Sequence, residues 1–198
     1  MNMNVKNKSG KKRRRRTPDE AKALIMDVAA ERLRRLGLDG LNISGVAEAA
    51  GISHATVIHH FGSTGAMREA LLRKMTGDLL SDVMEALQYQ QSTDKVLARL
   101  FGTLSRDGHG KLLAWLALDS QLDGFDATTS TGDLFKNIID SIASEGGNRT
   151  DAKFQVYLVA VAALGLGICG DVLAKLVGLS EKEGGQFPSW LAEHLQTL

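Results

Sequence analysis

The apolar positions of the chain recur at steps of three and four residues, which is the period of an amphipathic α-helix. The first such stripe consists of Leu24, Ile25, Val28, Ala29, Leu33 and Leu36. The run Thr17-Pro18-Asp19-Glu20 precedes it and combines a capping hydroxyl, a proline at the first helical position and the glutamate of a capping box. Because Gly37 can adopt the left-handed conformation that ends a helix, the pattern predicts a helix over residues 18–36.

Two short helices are predicted directly after the first. Asn42 can cap one of them and Gly51 can end it; its inner face is formed by Ile43, Val46, Ala47 and Ala50. Ser53 can cap the next helix, in which Val57 and Phe61 turn inward. Two short helices that meet across the turn Gly51-Ile52-Ser53 have the layout of a helix-turn-helix.

Helical spacing continues through the rest of the chain. A long helix is predicted from Thr64 to about Gln91, and further helical segments are predicted near residues 94–105, 110–122, 131–144, 150–177 and 180–197. The sequence has no alternating strand pattern. We therefore predict an all-α fold with an N-terminal helix-turn-helix domain over residues 17–63 and a helical C-terminal domain over residues 64–198.

Charge is unevenly distributed, although 24 Lys and Arg nearly balance 23 Asp and Glu over the 198 residues. Residues 1–78 hold 15 basic and 8 acidic side chains, whereas residues 79–198 hold 9 and 15. The excess includes six consecutive cations, Lys11, Lys12, Arg13, Arg14, Arg15 and Arg16. Residues 1–16 lack apolar periodicity and are predicted to form a disordered basic arm, and a basic first third favours a polyanionic partner.

Several classes of protein are disfavoured. The basic arm is followed by polar residues rather than an apolar run, so no signal peptide is expected, and a single cysteine, Cys169, gives no sign of an oxidising compartment. The uncharged run 154–170 has 17 residues, fewer than the roughly 20 of a membrane span, so a buried helix is preferred to a spanning one. No nucleophile is paired with a base and no phosphate loop occurs, which argues against an enzyme. We expect a cytoplasmic protein without a cofactor.

The third predicted helix carries the candidate chemistry. A helix fits the major groove of DNA, and its N-terminal residues lie nearest the base edges. We expect His54 and His59 to read bases by hydrogen bonds, and Ala55 and Ile58 to contact thymine methyl groups. Polar side chains suited to phosphate oxygens are Asn42, Ser53, Thr56, His60 and Thr64. No metal is expected, because neither His59 nor His60 has the i, i+4 relation to His54 that helical ligand pairs use.

The run from Asn42 to Ser53, followed by Thr56-Val57, His60-Phe61 and a new helix, resembles the DNA-binding domain of tetracycline-repressor (TetR) family regulators. The resemblance covers about residues 18–75. It implies a two-domain homodimer that binds a near-palindromic double-stranded DNA operator and is released when a small molecule enters the C-terminal domain. Two positions depart from the family pattern: Ile58 stands where a tyrosine is common, and Thr64 where a lysine is common. Both changes remove expected phosphate contacts, which the basic arm can replace.

The effector site and the dimer contact are less well defined by the sequence. The large side chains that could line a ligand pocket are Phe101, Trp115, Phe125, Phe135 and Tyr157, but composition cannot separate a pocket wall from a filled core. Residues 156–174 are apolar on nearly every side, which predicts contact with a second copy through the C-terminal helices. An architectural protein that binds DNA non-specifically through the basic arm is the alternative function.

Overall fold

The computed structural model describes residues 17–106, 108–119, 129–144 and 148–195. In these ranges the chain is helical and has no strand, which confirms the predicted all-α fold. The helices are α1 (Pro18–Leu36), α2 (Ile43–Ala50), α3 (His54–Phe61), α4 (Thr64–Gln88), α5 (Thr93–Arg106), α6 (His109–Leu118), α7 (Ser130–Ser144), α8 (Arg149–Leu176), α9 (Glu181–Gly185) and α10 (Phe187–Leu195), with a 3-10 helix at Leu38–Gly40. The predicted basic arm, with Lys11 to Arg16, and Phe125 lie outside the described residues.

Helix α1 begins and ends where its capping residues require. The hydroxyl of Thr17 accepts a hydrogen bond from the backbone N–H of Glu20 at 3.2 Å, and the Glu20 carboxylate accepts one from the backbone N–H of Thr17 at 2.9 Å. This reciprocal capping box satisfies two N–H groups that an uncapped helix would leave unpaired. Gly37, with φ of +67°, ends the helix. The predicted bounds of the first helix are confirmed.

The turn between α2 and α3 depends on a single left-handed residue. Gly51 has φ of +62° and ψ of +37°, a conformation that costs glycine little because it has no Cβ. Asn42 caps α2 by accepting from the N–H of Gly45 at 2.8 Å, and Ser53 caps α3 by accepting from the N–H of Thr56 at 3.1 Å. The predicted helix-turn-helix layout is therefore confirmed.

We call helices α1–α3 the head and helices α4–α10 the body. The core of the head includes Ile25, Leu33, Val46 and Val57 and is closed by α4 residues such as Met67 and by Leu112 and Leu116 of α6. Helix α4 continues into the body, where Leu79, Leu80 and Val83 join two further apolar clusters. The predicted boundary between residues 63 and 64 thus falls at the start of a helix that contributes to both cores.

Two arginines fix the segment between α1 and α2. Arg32 donates from Nε to the carbonyl oxygen of Gly40 at 2.8 Å. Arg68 of α4 donates from Nε to the carbonyl of Leu41 at 2.9 Å and from Nη2 to that of Leu38 at 3.2 Å. The Arg68 guanidinium also lies 4.4 Å from the ring centre of Trp115 on α6. The head is therefore joined to α4 and α6 by polar contacts as well as by its core.

Helix α8 has one buried and one exposed side. Ala152, Ala163, Gly167 and Gly170 face inward, and a Cβ on Gly167 would lie only 2.6 Å from the carbonyl oxygen of Leu104, so glycine allows α8 to pack closely on α5. The backbone leaves helical geometry at Cys169, with φ of −137° and ψ of 16°, and α8 bends there. By length and composition α8 could cross a membrane. Only 11% of the most apolar 18-residue stretch of this helix is buried. The expectation of a buried helix is thus corrected: much of its apolar surface faces outward.

The C-terminal segment differs from its predicted form. The sequence predicts one helix over residues 180–197, but α9 and α10 occur there, with a break at Gln186. Gly184 and Gly185 are poor helix formers, and Pro188 is tolerated only in the first turn of a helix, so the break lies between them.

Candidate nucleic-acid interface and ligand cavity

Helix α3 has a buried side and an exposed side. Val57 is fully buried in the core of the head, and Phe61 packs against the same core. His54, Ala55, Ile58 and His59 are exposed. Because successive residues of a helix are rotated by about 100°, Ala55 and His59 lie opposite the buried side, with His54 and Ile58 beside them. The four residues predicted to read bases therefore share one exposed face, which we call the recognition face.

Three of the predicted phosphate-binding residues, Asn42, Ser53 and Thr56, already take part in local hydrogen bonds. Asn42 donates from Nδ2 to the carbonyl of Asp39 at 3.0 Å in addition to capping α2, and Ser53 Oγ lies 2.7 Å from Thr56 Oγ1. Thr64 is the first residue of α4, and the helix is capped by Ser63, whose hydroxyl accepts from the N–H of Ala66 at 3.1 Å. The sequence interpretation missed this cap. These contacts hold the helix ends in position, and phosphate binding by the same side chains stays a prediction.

His60 flanks the recognition face and is partly covered. Its ring centre lies 5.5 Å from that of His59 in an edge-to-face arrangement and 6.4 Å from that of Phe61. Lys22 of α1 places its Nζ atom 6.0 Å from the ring centre of Phe61. His60 is thus held against the head, whereas the exposed His59 ring remains accessible to a partner.

The head and the first part of α4 are together not basic. Residues 17–78 contain 7 Lys or Arg and 8 Asp or Glu, so the positive excess of the first third resides in residues 1–16. Several of these cations have anionic neighbours, since Arg34 pairs with Glu31, Arg73 with Glu69 and Lys74 with Asp78. Arg32 and Arg68 donate to backbone carbonyls instead. Long-range attraction of a polyanion would therefore have to come mainly from the arm.

The body contains a cavity of about 350 Å³ between α4, α5, α6, α7 and α8. Most of its wall is formed by Leu, Val and Ile side chains, and its polar residues are Thr76, Gln91, Thr93, His109 and Gln155. No Asp, Glu, Lys or Arg belongs to the wall within the described part of the chain. A wider groove of about 560 Å³ between α1 and α4 is lined by charged residues such as Lys22 and Glu69 and is more open to solvent. The body cavity thus better resembles a small-molecule site.

The five residues predicted to line a ligand pocket are distributed over different surroundings. Phe135 belongs to the cavity wall. The other three described residues are not part of it. Phe101 is buried against Phe187, with ring centres 5.8 Å apart, Trp115 packs on Arg68 beside the core of the head, and Tyr157 is 69% exposed on α8. Phe125 lies outside the described residues. The pocket prediction is corrected for Phe101, Trp115 and Tyr157, because each side chain has another surface to pack on or faces away from the body.

His109, at the start of α6, is the residue that the sequence interpretation missed. It is 2% exposed, and its Nε2 lies 2.8 Å from the hydroxyl oxygen of Thr76. Its Nδ1 is buried and has no hydrogen-bond partner among the described residues. Burial lowers the pKa of His109 from its ordinary value of 6.5 to about 4, so the imidazole is neutral at pH 7. Its position between Gly108 and Gly110 gives no sequence signal of burial, which arises only from tertiary packing.

The pKa of His109 predicts an acid-dependent loss of stability. Between pH 6.5 and about 4 the unfolded chain binds a proton at this residue that the folded chain does not, so the free energy of unfolding falls as the pH decreases. At pH 5 the loss is expected to be about 2 kcal/mol relative to pH 7.5. Urea unfolding of the unsubstituted chain and of His109→Gln at both pH values measures the difference. Equal pH dependence in the two proteins would contradict this assignment.

The fold and the recognition face define a helix-turn-helix protein with a helical body. Residues 25–71 match the family described as bacterial regulatory proteins, tetR family. The chain is therefore similar to this family over the helix-turn-helix region, in agreement with the resemblance in the sequence.

Known proteins support the same fold over a longer part of the chain. The HTH-type transcriptional regulatory protein RaaS of Mycobacterium tuberculosis is 34% identical over 104 residues, which are 52% of this chain and 47% of RaaS, so the chain spans about half the length of this curated relative. A single-residue variant of TetR from Acinetobacter baumannii, solved in complex with minocycline, has a TM-score of 0.56 at 15% identity, covering 87% of this chain and 90% of that one. FadR from Bacillus subtilis, solved with stearoyl-CoA, has a TM-score of 0.50 at 14% identity, covering 87% and 96%.

Proposed function

We propose that the chain is a cytoplasmic, sequence-specific DNA-binding regulator of transcription. The observation that carries this proposal is the recognition face of α3, which is exposed while Val57 on the opposite side anchors the helix in the head. His54 and His59 supply hydrogen-bonding groups to base edges, and Ala55 and Ile58 supply apolar contacts to thymine methyl groups. Asn42, Ser53, Thr56, His60 and Thr64 supply the phosphate contacts that set the register in this proposal.

The basic arm provides the non-specific part of the affinity. Because residues 17–78 have nearly balanced charge, Lys11, Lys12 and Arg13–Arg16 are the main source of attraction to phosphates. The same reasoning also supports the architectural alternative, because a basic arm alone can bind any duplex. The two functions differ in specificity: a regulator prefers its site by about a thousandfold or more, whereas an architectural protein has almost no preference.

The second part of the proposal is a two-fold dimer formed through α8. Five exposed apolar residues and the half-buried Gly165 follow alternating steps of four and three: Phe154, Leu158, Val161, Gly165, Ile168 and Val172. This is the spacing of a seam between paired helices, and it lies opposite the buried side of α8. We call these six residues the α8 seam. A symmetric pair of heads would read two half-sites about 34–36 Å apart or a multiple of that distance.

The third part is repression that is relieved by a small molecule in the body cavity. Minocycline and stearoyl-CoA accompany two proteins of the same fold, and the cavity has the volume and apolar wall of a ligand site. Helix α6 connects the two regions, because His109 lies on the cavity wall and Leu112 and Leu116 pack in the core of the head. A ligand that binds more tightly when the two heads are wrongly spaced for the operator lowers the operator affinity. The operator lowers the ligand affinity by the same factor.

Selection of bound fragments from random DNA tests the proposal directly. A two-fold symmetric motif, with at least about a thousandfold preference over random duplex in competition, is the expected result. A motif without symmetry would contradict the dimer. Bound fragments with no common sequence would favour the architectural alternative.

A further inference from the structure

We propose that the effector is an uncharged, mostly apolar molecule with one hydrogen-bonding group, and that this group pairs with the imidazole of His109. The inference rests on the proposed function, because it names the chemistry of the ligand that fills the body cavity. It is carried by two independent observations, namely the composition of the cavity wall and the unpartnered nitrogen of a buried wall residue.

The described part of the wall disfavours charged ligands. An ion that leaves water for an apolar cavity loses several kcal/mol of hydration unless an opposite charge compensates it. The described wall residues include no carboxylate to receive a cation and no ammonium or guanidinium group to receive an anion. His109 supplies no positive charge either, because burial keeps its ring neutral at pH 7. Against the described wall residues, an uncharged molecule enters without that loss.

His109 also gives the ligand a polar requirement. Thr76 occupies Nε2 at 2.8 Å, and Nδ1 is the nitrogen left without a partner among the residues that the structure describes. Because Nδ1 is itself covered by protein, a ligand group reaches it only when the imidazole ring or its neighbours shift. A buried polar atom that lacks a hydrogen bond costs about 1–3 kcal/mol, so a ligand group that pairs with it recovers part of this free energy. The ring can present Nδ1 as acceptor or donor, because the Thr76 hydroxyl can play either role toward Nε2. A hydroxyl, amide or ketone group would meet this requirement.

Four probes of one shape separate these chemical classes. They are 4-butylphenol, butylbenzene, 4-butylbenzoate and 4-butylbenzylammonium, titrated calorimetrically into the full chain at pH 7.5, where a phenol is still neutral. We expect 4-butylphenol to bind most tightly and the two ions to bind at least about tenfold more weakly. This comparison uses the unsubstituted protein and does not depend on how any variant folds.

The role of His109 is tested by His109→Phe, which keeps a ring but removes both nitrogens. Binding of 4-butylphenol should weaken about five- to tenfold, while binding of butylbenzene, which has no group to pair, should change less than about twofold. His109→Gln restores a hydrogen-bonding side chain and should recover most of the phenol affinity. Thermal unfolding followed by circular dichroism establishes that each variant is folded.

Three results would overturn the inference. These are tightest binding of a charged probe, no binding of any probe to folded protein, or an equal effect of His109→Phe on the phenol and the hydrocarbon. Operator binding, measured by fluorescence anisotropy on the same samples, tests the proposed function separately. A chain that binds 4-butylphenol through His109 but selects no DNA sequence would refute the regulator and leave the cavity chemistry in place. A chain that selects its operator but prefers 4-butylbenzoate would support the regulator and refute the proposed cavity chemistry.

Discussion

Replacing His54 and His59 together by alanine is expected to reduce the preference for the selected site by roughly 30- to 1000-fold, or about 2–4 kcal/mol. The two side chains supply the polar groups at the centre and edge of the recognition face, and each good base contact contributes about 1–3 kcal/mol of discrimination. Both residues are exposed, so the substitutions leave the core of the head intact. Fluorescence anisotropy with the selected site and with random duplex, each at the same salt concentration, measures the ratio.

His60→Ala is the matched control on the same helix. His60 lies beside the recognition face, so its loss should weaken binding to both duplexes and leave their ratio nearly unchanged. If the folded double variant kept its full site preference, the recognition face would have to be assigned to other residues. If His60→Ala alone removed the preference, the division between base-reading and phosphate-binding residues would be incorrect.

Introducing a carboxylate in the α8 seam should separate the proposed dimer. Val161 lies in the middle of the seam, and a two-fold axis would bring two copies of a Val161→Asp substitution into one apolar interface. Buried charges without a partner cost several kcal/mol, so the dimer dissociation constant should rise at least about a thousandfold. Operator affinity should fall at least about a hundredfold, because a single recognition helix then has only one half-site to bind. Analytical ultracentrifugation and operator titration measure the two effects.

A charge change elsewhere on the same helix controls for this prediction. Lys153→Glu lies outside the seam on the exposed surface of α8 and should leave both the association state and the operator affinity close to those of the unsubstituted chain. If Val161→Asp remained dimeric, the seam would not be the dimer contact. If it became monomeric but bound the operator as before, binding would not require two heads.

The sequence predicted the head well because local interactions decide its geometry. The caps Thr17, Asn42 and Ser53 and the left-handed Gly51 act within a few residues of their own position, so their residue types alone indicate where helices begin and end. The exposed face of α3 followed from the same information, since the inward positions of Val57 and Phe61 determine which side chains point outward. The roles of the individual residues in DNA binding remain predictions.

The body was less predictable because tertiary contacts decide which side of each helix is covered. Trp115 was a reasonable pocket residue by size, but α6 turns it toward Arg68 and the head. Tyr157 looked like a core aromatic and is exposed beside the α8 seam. His109 is polar and flanked by glycines, and only the packing of α4 on α6 buries it against Thr76. Periodicity indicates that a face is apolar but does not identify what that face packs on.

The outward apolar side of α8 makes folding and association interdependent. A separated protomer would expose the apolar side chains of Phe154, Val161 and Ile168 to water, although side chains of this kind are normally buried in the interior. Under the proposed pairing, part of the hydrophobic stabilisation of each protomer is obtained only when its copy is bound. The unfolding midpoint would then depend on protein concentration, and a single free energy of unfolding for the isolated chain would not describe the molecule.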